Sequence, residues 1–402
     1  MEPSNKNPSL PGKDEFAQRI VEGIRQAGET ADVLYDDGQF RLHTDGDDGT
    51  QVFLENGYRE FCEASADARE QIVRRFVRNW FAGARELPEE FEDVRPDLLP
   101  VVRSRAYIEL NALRMRAQGQ SSVEWTYQPV GDHLAAALVY DLPDAMQAVT
   151  QEQLDRWGVS FYEAMETARA NLAEMQHAFI GPEEGEGVYL SATGDNYDAS
   201  RLLLLDTVGR MRLKGRPVAI AANRDSLIVA GDDDLEALRG MVALAGEALQ
   251  KPRAVSGVAL RLDGDEWGPW LPEASHPLYG EFRSLFIQSI GQAYAEQKTL
   301  LDQLHARTGE DVVVPSFSAM RNPATGGVLT FCIWGEHCTS LLPCTDLVAF
   351  VGVGRDPVMA PWGRVVETLG HLMRPEGIYP ERYRVVDFPT REQLAAMENV
   401  MP

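Results

Sequence analysis

Cysteine is scarce in this chain: Cys62, Cys332, Cys338 and Cys344 are the only four among 402 residues. That excludes a disulfide scaffold, which a chain of this length would need many more bridges to build. Basic charge is also in deficit, with 38 Lys and Arg against 62 Asp and Glu, a formal charge of −24. A field of that sign repels phosphate backbones and anionic lipid over any extended surface, so neither nucleic acid nor membrane is expected as a partner. No run of about 18 apolar residues occurs, as a membrane span requires. The opening stretch MEPSNKNPSLPGKDE holds no apolar signal-peptide core, and the expectation is a cytoplasmic protein. The motifs G-x-S-x-G, H-E-x-x-H and G-x-x-x-x-G-K-[ST] are all missing, so no nucleophile elbow, zincin helix or phosphate loop is indicated. Cys332, His337, Cys338 and Cys344 lie close together, but the spacing C-x5-C-x5-C lacks the C-x2-C pairs of zinc sites. Cysteines in strand-like runs read as small apolar residues, so no metal and no cofactor is expected.

Apolar content is ordinary at 44%, enough for packed cores rather than a disordered chain. Residues 194–231 organise the rest. A turn, Gly194–Asp195–Asn196, leads into an apolar helix through Leu202–Leu205, Val208 and Met211, with Asp195 or Asn196 as its cap. Gly215 and Pro217 stop that helix. Two apolar runs, Val218–Ala222 and Leu227–Ala230, then form a hairpin around Asn223–Arg224–Asp225.

Elsewhere the pattern alternates hairpins with helices. Residues 1–13 read as a tail. Phe16, Ile20, Val21 and Ile24 mark a helix, followed by three short strands and a second helix carrying Ile72, Phe76 and Trp80. The acidic stretch 85–97, with two prolines and no period, reads as a linker. Ser160 and Glu163 form a capping box at a helix start, and Asp232–Asp234 sit where they favour a helix N-terminus. A long helix from about Leu278 to Arg307 leads to a last set of strands. Strands and helices without regular βαβ alternation argue for α+β, with mixed and antiparallel sheets and packed helices in two or three modules: 14–84, 98–274 and 278–402.

Two segments carry a family resemblance. Leu99-Pro100-Val101-Val102-Arg103-Ser104 is similar to the "LPVIRS" strand, and Asn196-Tyr197-Asp198-Ala199-Ser200-Arg201 to the "GYDATRIL" segment, of the YtpQ-like bacterial family of unknown function. The hairpin at Asp225–Val229 and the strand Ser256–Leu262 with Asp263-Gly264-Asp265 follow in the same order. The resemblance spans residues 16–271. The sequence departs from it by an insertion around 108–130 and an added C-terminal region. It implies an α+β fold and a cytoplasmic class, and carries no chemistry.

The polar group singled out by these motifs is Arg103, Tyr197, Asp198 and Arg201. Asp198 and Arg201 are i, i+3 and able to pair. As a structural unit they lock a helix start; as a site, the two arginines hold a small anionic ligand. The expectation is a non-catalytic binding or adaptor protein, acting on a small anion or a protein partner. The alternative is a hydrolase or transferase with an Asp/Arg-lined cleft assembled by the fold.

Overall fold

The computed structural model describes residues 11–44, 50–82, 87–120, 125–142, 145–176, 178–182, 186–322, 326–354 and 356–397. Most of the expected tail and the first two linker residues lie outside these. The chain is α+β, its helices packed with antiparallel and mixed sheets. Compactness divides it into two units. One comprises residues 1–101, 137–176 and 250–254, the other 102–136, 177–249 and 255–402.

In the first unit the helix Lys13–Gln26 buries Phe16, Ala17, Ile20 and Ile24, the face its period indicates. Those residues share a core with Leu42 of the three-stranded sheet and with Ile72, Phe76 and Trp80 of the helix Ala66–Ala82. The basic face of that second helix is balanced by acids: Arg74 pairs with Glu70 and Arg75 with Glu60. The linker expectation fails for residues 87–97. They form a short helix Phe91–Val94 and a 3-10 turn Arg95–Asp97, with Val94 fully buried. Side chains on later helices anchor them: Trp157 Nε1 donates to the Pro88 carbonyl at 2.9 Å and Asn171 to the Arg95 carbonyl at 2.7 Å. Composition gives a linker signal here because these anchors lie in distant sequence.

The second unit is built on a six-stranded antiparallel sheet. Its order is Glu266–Pro269, Leu260–Asp263, Pro217–Asn223, Ser226–Gly231, Tyr189–Ser191 and Phe179–Ile180. The central hairpin pairs Asn223 with Ser226, leaving Arg224 and Asp225 as a two-residue turn. Both faces of this hairpin are buried, which is why its strands read as continuous apolar runs rather than as alternation. On one face Val218, Ile220, Ala222, Ile228 and Ala230 meet Leu238, Met241 and Ala245 of the helix Leu235–Gln250. That helix begins at Asp234, whose carboxylate accepts the Ala237 amide at 3.0 Å.

The long helix Tyr279–Thr308 puts Phe282 and Leu285 into that same core. Its later residues Ala293, Leu300 and Leu301 pack with Ala106, Leu110 and Leu113 of the helix Arg105–Ala117. Residues 278–402 therefore fall in one compact unit with 177–249, where the module reading separates them. The last part of the chain adds a mixed sheet of Ser318–Arg321, Val328–Gly335, Leu347–Val351 and Val358–Pro361, and a three-stranded sheet through Arg382–Val385. Trp267 is a core residue whose Nε1 donates to the Leu202 carbonyl at 3.0 Å, and Trp270 is partly buried at the core edge, meeting Phe282 edge-on at 5.1 Å.

Candidate functional site

The expected apolar helix after Asn196 is broken in two. A 3-10 turn, Ala199–Leu203, gives way at Leu204 (φ −88°, ψ 71°) to a short α-helix, Leu205–Gly209. Neither Asp195 nor Asn196 caps it in the expected way. Gly194 and Asn196 adopt positive φ of 78° and 69°, curling the backbone so that its amides face the Asp198 carboxylate. Asp198 accepts from Ser191 Oγ at 2.6 Å, from the Thr193 and Gly194 amides at 2.8 Å each, and from Arg201 Nη1 at 3.0 Å. Asp195 accepts from the Tyr197 amide at 2.9 Å and from both Arg201 terminal nitrogens, at 3.1 and 2.5 Å. Burial raises the Asp195 carboxyl, but Arg201 and the Tyr197 amide outweigh it and hold the group below the usual aspartate range.

The structure thus brings Asp198 and Arg201 together in the interior, both at 0% exposure, with Tyr197 buried beside them. Arg103 is buried too, and its Nη1 donates to the Val102 carbonyl at 2.8 Å. The tie between the two motif segments is Ser200, whose Oγ accepts the Val102 amide at 3.0 Å. Arg201 directs its terminal nitrogens at the two acids and forms a closed knot with them rather than an open anion pocket. The knot fastens the segment 199–209 to the sheet, with the Ala199 amide donating to the Arg224 carbonyl of the hairpin turn at 3.2 Å.

That fastened segment runs straight into the wall of a groove. A concavity of about 400 Å³ lies between residues 208–217 and the hairpin turn Leu262–Asp263–Gly264. Its lining is mixed: Val208, Met211, Leu213, Pro217 and Leu262 supply apolar side chains, and Arg216 and Asp263, paired at 2.8 Å, supply polar ones. The wall has no regular structure over 211–216 and is held by backbone bonds instead. Asp233 and Asp232 donate their amides to the Lys214 and Arg216 carbonyls at 3.1 and 2.9 Å, and the Arg216 amide returns to Asp232 Oδ1 at 2.7 Å. This close approach needs Gly231, because a Cβ there would collide with the Lys214 carbonyl oxygen. Gly215, at φ +88°, makes the turn.

A second polar cluster lies on and around the helix Arg105–Ala117. Arg105 stacks 4.6 Å from the Tyr379 ring, and its Nε donates to Tyr127 Oη at 3.3 Å, while Tyr127 donates to Glu109. His133 Nδ1 lies 2.9 Å from Tyr379 Oη. Burial lowers the His133 pKa to about 4 and pushes both phenols up. All three groups are neutral at neutral pH, which suits a hydrogen-bonded joint rather than acid–base catalysis. Comparison with family models, curated proteins and solved structures returns no match.

The groove is what the reading of residues misses. Arg210, Arg212, Lys214 and Arg216 alternate with Gly209, Met211, Leu213 and Gly215, a pattern that signals one solvent face and one covered face. Nothing in the order of residues says that the covered face turns toward Leu262. The cysteines are dispersed in role. Cys332 is buried with its thiol pushed up to about 11 by desolvation, and Cys338 contacts the Ser340 hydroxyl at 3.4 Å.

Proposed function

We propose that this protein acts by binding, and that the groove walled by residues 208–217 is its binding surface. The observation that carries this is a concavity of about 400 Å³ with Met211, Leu213, Pro217 and Leu262 in its lining, a volume within the usual size range of ligand sites. The one acid in its lining is Asp263. Arg261 beside it holds that carboxyl below its usual range, so it is ionised and paired rather than poised as a general acid. This weighs against the hydrolase or transferase alternative at this place. Arg103, Tyr197, Asp198 and Arg201 serve the groove by position: they fix the segment that becomes its wall. Membership of the YtpQ-like family belongs to the same proposal, supported by the bond from Val102 to Ser200 between the two motif segments.

The test uses anilinonaphthalenesulfonate, whose fluorescence rises on entering an apolar site. The full chain is expected to enhance it, with the enhancement lost in Met211→Asp and Leu213→Asp while melting is unchanged. Folded variants that keep the full enhancement would place binding elsewhere.

A further inference from the structure

We draw no further inference here: the strongest candidate, the patch of exposed apolar side chains Ile333, Val351 and Val353 at one end of the mixed sheet formed within residues 318–361, carries nothing because nothing in the structure shows what covers it.

Discussion

Arg201 lies between two carboxylates with no exposure to solvent; Asp198 is equally internal at 0%, while the Asp195 side chain is 22% exposed. One guanidinium facing two acids leaves an excess negative charge, offset by the Ser191 hydroxyl and three backbone amides. Removing Asp198 strips four hydrogen bonds at once and leaves the Ser191 and Arg201 donors buried. Asp198→Ala is therefore expected to cost about 3–5 kcal/mol. Arg201→Ala should cost a similar amount, and the double variant well below the sum. Denaturant unfolding checks this, and an additive pair with losses under about 1 kcal/mol would show that the knot does not hold the fold. The pairing of Asp198 with Arg201 was legible from their i, i+3 spacing and apolar surroundings. The partners Ser191, Thr193 and Gly194 were not, because a carboxylate reaching back along its own loop leaves no periodic trace. His133 supplies a separate residue-scale test. Its pKa falls from 6.5 to about 4 on folding, chiefly by desolvation, so the unfolded chain binds the extra proton between those values. Stability is then complete above pH 6.5 and declines as pH drops toward 4, by about 3 kcal/mol at most. In His133→Gln that part of the pH dependence should vanish; an unchanged slope across the window would mean that His133 is not the group responsible.

Among the elements, the central hairpin and the segment crossing it decide the shape of the groove. The hairpin was readable from two apolar runs joined by Asn223–Arg224–Asp225, but its turn is one residue shorter, with Asn223 paired to Ser226 after a register shift beyond Ile220. The segment before it reads as one helix and folds as two pieces, because Asp198 captures the Thr193 and Gly194 amides and tightens the chain before an α-helix is established. Local propensity loses there to a buried charge. The helix Arg105–Ala117 falls in a stretch that the family resemblance marks only as an insertion. It is anchored by packing against the long helix Tyr279–Thr308, far along the chain. Gly231 tests the element-scale claim directly. A methyl there meets the Lys214 carbonyl oxygen, so Gly231→Ala is expected to push the wall segment off the strand and cost about 1–3 kcal/mol. Anilinonaphthalenesulfonate enhancement should fall with it, while Gly246→Ala, on the helix Leu235–Gln250 with open space at its Cβ position, should leave the wall in place. Equal probe responses in the two variants would detach Gly231 from the groove.

At the scale of the whole molecule, α+β class was legible because hairpins and helices alternate without a βαβ rhythm. The grouping into compact units was not. It depends on which distant faces share a core, as Phe282 and Leu285 do with Ile220 and Leu238. Net charge bears on partners in the same way: −24 describes the average surface, whereas binding is set by the few residues that depart from the average. The most direct measurement of the central claim is amide hydrogen exchange on the full chain, with and without anilinonaphthalenesulfonate. Protection is expected in peptides covering 208–217 and 260–266 and to be absent from the helix Tyr279–Thr308. Protection confined to other segments, with those two unchanged, would contradict the groove as the site of binding.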